Sequence, residues 1–194
     1  MTDRDIYKEI KVGDRGIKIY YDQSPENPRQ NGDYLGTFVM WHRNYEMSDE
    51  KPDCDPQEFL EGLGKECEIL PVYMMDHSGI SLSTGSFGCP WDSGQVGFIY
   101  VMHEKIKKEY GDLTEETKAK AREVLEREIK EIDLYVRGEV YGFRLYELVT
   151  CAHCNHTTEE EEDSCWGFIT HEPEKAIWEQ LSEEDQETFK ELNE

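Results

Sequence analysis

YMMDHSGISLSTGSFGCPWDSGQVGFIYV, residues 73–101, is the stretch whose reading decides the fold. Apolar runs at 68–75 and 95–102 read as strands, the second nearly continuous in the manner of a sheet centre, and a shorter strand is predicted at 79–83 between them. Connections this short leave no space for crossover helices, which predicts antiparallel pairing. Two polar turns lie at the strand ends, where side chains escape burial: Asp76, His77 and Ser78 before Gly79, and Cys89, Trp91, Asp92 and Ser93 before Gln95.

Toward the N-terminus, IYKEIKV and IKIYYD flank GDRG and read as a hairpin. Residues 23–33, rich in Pro, Asn and Gln, form a loop, and LGTFVMWHRNY follows as a strand ending in Trp41, His42, Arg43 and Tyr45. DPQEFLEGLG at 55–64 has Asp as a cap, Pro at the first helical position and Gly as a stop, which predicts a short helix. Toward the C-terminus a long helix is predicted from Thr114 to Gly138, with Leu125, Ile129, Ile132 and Val136 on one face. EVYGFRLYELVT at 139–150 and DSCWGFIT at 163–170 form a hairpin, with the EEEED run at 159–163 as a solvated loop. One or two acidic helices close the chain, the second capped by Ser182 with Asp185 three residues on. The fold class is therefore α+β, a predominantly antiparallel sheet with one long amphipathic helix and C-terminal helices. Residues 1–194 are expected to form a single domain, carrying a Cys/His-containing hairpin insertion at about 150–165.

The 44 Asp and Glu residues against 21 Lys and Arg leave a formal net charge of -23, which repels phosphate backbones and disfavours direct nucleic-acid binding. The same field suits either solubility or a salt-rich habitat on the one hand, or a surface complementary to a basic partner, including mimicry of nucleic acid, on the other. No apolar run approaches the ~20 residues of a membrane helix, and the first residues lack the apolar core of a signal peptide, so a cytoplasmic location is expected. In that setting the six cysteines are free thiols or metal ligands rather than a disulfide framework. GxGxxG, GxxxxGK[ST] and GxSxG are absent, which removes the usual sequence support for nucleotide-binding and hydrolase folds.

Two constellations carry candidate chemistry. In the first, Cys89 is a nucleophile if His77 reaches it as base, with Asp76 or Asp92 orienting the ring and Ser78 alongside. His42, Arg43, Trp91, Ser93 and Gln95 are candidate binding residues around it. The alternative is plain turn chemistry, since Asp and Ser side chains bond nearby amides and Gly takes positive φ freely. In the second, Cys151 and Cys154 form a CxxC, with His156 and Cys165 as further candidate ligands for a structural zinc. The competing reading is a pair of reduced thiols at a hairpin tip, because zinc ribbons carry two such pairs and this chain has one.

LPVYMMDHSGISLSTGSFGCPWDSGQVGFIYV, together with YDQSPENPR, MWHRNY, YGF and DSCWGF, resembles an uncharacterised family of bacteriophage and mobile-element proteins marked by YDHSG and CPWDSGQVGFIYV motifs. The resemblance covers about residues 20–169 and implies a mobile-element setting, which would place the chain in a host cell's cytoplasm. It brings no catalytic residue with it. CAHCNHTTEEEE replaces a shorter loop of the commoner pattern, so a metal here is not implied by the family. Two functions are expected from these observations. One is an acidic interaction protein that inhibits a host defence or nucleic-acid-handling protein, its partner being a basic host protein. The alternative is a small enzyme or polar-ligand-binding protein using the DHSG and CPWDSGQ loops.

Overall fold

Two four-stranded sheets, with every ladder between their strands antiparallel, organise residues 5–193, which this computed structural model describes. In chain order the elements are β1 (Ile6–Val12), β2 (Arg15–Tyr21), α1 (Pro28–Asn31), β3 (Thr37–Met40), α2 (Pro56–Leu63), β4 (Cys67–Asp76), β5 (Ile80–Ser83), β6 (Ser93–Met102), α3 (His103–Tyr110), α4 (Glu115–Val136), β7 (Val140–Thr150), β8 (Thr157–Ile169), α5 (Pro173–Trp178) and α6 (Glu183–Thr188). The class is α+β as predicted. The chain divides into two compact units, residues 27–137 and the remainder, each with its own sheet and core.

In the unit of residues 27–137 the strand order is β3-β6-β4-β5. One face of this sheet sets Phe38, Val72, Met74, Ile99 and Val101 against Ala121, Leu125, Ile129 and Ile132 of α4, the apolar stripe anticipated from the helical spacing. On the opposite face Phe59 of α2 packs edge-on to Trp41 and Tyr100. The exposed edge at β5 is partly closed by α4, whose Asp133 carboxylate accepts from Leu82 N at 2.7 Å. Helix boundaries follow local signals: Asp55 accepts from Gln57 N and Glu58 N, while Thr114 and Thr117 form a reciprocal capping box.

A buried carboxylate holds the chain before β3 onto α4. Glu128, 6% exposed, accepts from Leu35 N at 2.7 Å and from Gly36 N at 3.1 and 3.2 Å, and pairs with Arg29 Nη1 at 2.9 Å. Arg29 also pairs with Asp49. Gly36 is needed at this approach, because a Cβ there would come within 2.4 Å of Leu125.

In the other unit the order is β1-β2-β7-β8. Ile17, Ile19, Phe143 and Leu145 share a face covered by Ile177, Leu181, Phe189 and Leu192, which accounts for the C-terminal helices. The YGF and DSCWGF motifs meet across the β7–β8 ladder, where Trp166 lies over Gly142 so closely that a Cβ would stand 2.1 Å from the ring. Ser182 caps α6 by accepting from Asp185 N, as predicted.

Two local expectations are corrected, at 159–163 and at 23–33, and α3 is an element that the sequence pattern did not predict. The EEEED run belongs to β8 rather than to a loop: Lys18, Arg144 and Arg15 pair with Glu159, Glu161 and Glu162, lowering the repulsion that argued against a strand. HEKIKKEY forms α3, a helix whose single buried residue, Ile106, gave too little periodicity to be recognised. Within the predicted loop at 23–33, Pro28–Asn31 makes one helical turn capped by Asn27.

Replacing Glu128 with Ala strips two buried amides of their acceptor and leaves the buried Arg29 guanidinium with Asp49 as its remaining counter-charge, and is expected to cost roughly 3–5 kcal/mol in urea unfolding. Arg29→Ala should act through the same network, so the double variant should lose less than the sum of the two single losses.

Candidate functional site

Pairing of β4 with β6 brings the two polar turns of residues 73–101 to one end of their sheet. Met75 lies opposite Ser93, and Asp76 N donates to Asp92 O at 2.9 Å, so the DHSG turn is tied to the CPWDSG turn through the backbone. The ladder carries a bulge: Val72 faces Gly97 but Tyr73 faces Gln95, and the Val96 carbonyl between them accepts from Trp41 N at 2.8 Å. Gly97 is required beside it, since a Cβ would stand 2.0 Å from the Val39 carbonyl oxygen. Ser78 takes φ 60, the left-handed conformation that closes the DHSG turn, where His77 N donates to Gly79 O at 3.1 Å.

Asp92 is the centre of the side-chain cluster. Its Oδ2 lies 3.2 Å from His77 Nδ1 and accepts from the Cys89 thiol at 3.4 Å. Asp76 receives the Tyr45 hydroxyl at 3.2 Å, and its carboxylate raises the Tyr45 pKa above the ordinary tyrosine value. His42 stacks on Tyr45 with centroids 5.0 Å apart, while its Nδ1 accepts from Asn44 N and Tyr45 N. His42 therefore joins the cluster through Tyr45, a residue absent from the predicted site set; the strand predicted to run through Tyr45 ends at Met40, and Trp41, His42, Arg43 and Tyr45 lie in the irregular segment that follows it. Ser93 Oγ donates to Cys89 O at 2.5 Å and holds the second turn closed. Arg43 and Gln95 are exposed, the latter reaching Gly97 O at 3.4 Å.

The Cys89 thiol meets the Asp92 carboxylate rather than the His77 ring, and the same oxygen takes the imidazole, so the group standing against Cys89 is an anion, which disfavours a neighbouring thiolate. The cluster is open as well: the His77 side chain is 69% exposed and Trp91 93%, so Trp91 does not cover the core. The exposed Trp91 indole stands next in the chain to Asp92, in the turn that leads into β6.

The metal candidates separate. Cys151 and Cys154 lie together at the tip of the β7–β8 hairpin with His156, whose carbonyl accepts from Cys151 N at 2.8 Å. Backbone amides of His153 and Cys154, and the Cys154 thiol, donate to Cys151 and lower its pKa. Cys165 faces Phe143, seven residues along β7 from Thr150 and so about 23 Å from the tip at ~3.3 Å per residue. It cannot complete a shell with the other three. His103, solitary in sequence, is bound to Glu68 at 3.1 Å in a structural role shared with Arg122. Among the described residues no helix is long and apolar enough to cross a membrane.

Comparison with protein-family models, curated proteins and solved structures finds no match to this chain.

Because its side chain lies in solvent, Trp91→Ala should move the unfolding free energy by less than about 0.5 kcal/mol. Denaturant titration followed by circular dichroism checks this; a loss above about 2 kcal/mol would make the indole a structural residue.

Proposed function

We propose that this chain is an acidic interaction protein of a bacteriophage or mobile element, which inhibits a host defence or nucleic-acid-handling protein by occupying its basic site. The observation that carries this reading is the carboxylate display of the hairpin unit. Residues 138–194 hold sixteen Asp and Glu against three Lys and Arg, and β8 sets five of those acids in a row on a sheet edge. Lys18 and Arg144 fix Glu159 and Glu161 without burying them, since these side chains remain 43% and 42% exposed. Carboxylates held in place on a β-ladder lose less conformational freedom on docking than carboxylates in a loop. Such an array attracts a basic surface, gaining on-rate and releasing the anions condensed there. Captured from host lysate at about 50 mM salt, the partner should be a basic protein, and affinity should fall by roughly 10³-fold or more by about 200 mM. Recovery of no basic protein at low salt removes the proposal.

One observation favours a second reading. Asp92 gathers His77 and Cys89 beside the exposed Trp91, a set of donors, acceptors and an aromatic face suited to a polar ligand such as a nucleotide. Replacing His77 and Cys89 together with Ala, in a protein whose fold is verified by circular dichroism, should abolish the thermal shift produced by that ligand. An unchanged shift ends this reading.

A further inference from the structure

We propose that the β7–β8 tip is one half of a metal-thiolate site for a soft divalent cation of the zinc class, completed by the same tip of a second copy of the chain. Cys151 and Cys154 lie in a single turn closed at both ends: Asn155 N donates to Cys151 O at 2.9 Å, and Cys151 N donates to His156 O at 2.8 Å. Asn155 adopts φ 53, which folds the chain back after the second cysteine. Two sulfurs from one such turn are the half-shell that tetrahedral thiolate coordination requires.

Among the described residues no third or fourth ligand is grouped with this pair, and Cys165 is seven ladder positions away. The tip is nonetheless open to a partner. β2 pairs with β7 only as far as Glu147 opposite Arg15, and the last backbone bond toward the β1–β2 turn is Leu148 N to Asp14 O. Beyond it the two-stranded ribbon runs on alone, and residues 151–156 are all exposed. Two such tips facing one another give four thiolates around one ion, each thiol passing its proton to solvent as it ligates.

Chains of net charge -23 repel, so the pairing requires the metal and is favoured by added salt, which screens the repulsion. That sign is opposite to the salt dependence of a basic partner, so the failure of either proposal is read separately.

The test uses the full-length protein, reduced, stripped of metal and titrated with Co²⁺. A thiolate-to-cobalt charge-transfer band with tetrahedral d–d bands should appear, saturating at one metal per two chains, with a matching doubling of mass in sedimentation. Zn²⁺ should displace the cobalt and keep the dimer. Cys151→Ser and Cys154→Ser should each abolish band and dimer while leaving the circular dichroism spectrum unchanged, and Cys165→Ser should lose neither. Absence of the band, saturation at one metal per monomeric chain, or loss of the dimer in Cys165→Ser alone would each overturn the proposal.

Discussion

The antiparallel ladder of β4 on β6 is the constraint from which the 27–137 unit and its candidate site follow. It runs from Cys67 opposite Met102 to Met75 opposite Ser93, and its far end ties Asp76 to the backbone of Asp92. Two turns separated by a whole strand and loop in sequence thereby become neighbours. The bulge at Val96 directs a carbonyl to Trp41, which continues the connection to the chain after β3, and with it to His42 and Tyr45. A register slip of one residue would send every buried side chain of β6 to the wrong face and part these turns. Gly97, with no space for a Cβ, holds β3 in place on the opposite side.

Excess acid is managed differently in the two units. In residues 27–137 one carboxylate, Glu128, is taken out of water, and it is tolerated because two backbone amides and a guanidinium meet it. In the hairpin unit the acids stay at the surface, where pairing with Lys18, Arg144 and Arg15 is enough to let a strand form without cancelling the charge. Exposed pairs of this kind contribute little to stability, about 0–1 kcal/mol each, so their effect is on where the carboxylates stand rather than on whether the unit folds. The same ladder that aligns the acids carries the thiol pair outward at its end.

Local signals were legible. Asp55, Thr114 and Ser182 act within three residues, so the three helices they cap could be placed from the sequence alone. α3 lacked such a signal, having no side-chain cap and a single buried residue. For the EEEED run the sequence pointed the wrong way, because the cations that make a strand of it come from β2 and β7, with Lys18 lying 141 residues from Glu159. In the site, residue types were legible but roles were not. Cys89, His77 and Asp92 read as nucleophile, base and orienter, whereas their contacts place the carboxylate between the other two.

What the sequence alone determined is the alternation that makes strands, the caps that begin helices, the α+β class and a surface of negative charge, all of which depend on composition or on residues within about four positions of one another. Only the tertiary structure decided which strands are neighbours, that Asp92 rather than His77 meets the thiol, and that Cys165 stands far from Cys151 and Cys154. The physical reason is that strand pairing couples residues far apart in the chain: its register is selected by the burial of whole faces at once, and no short stretch carries that information.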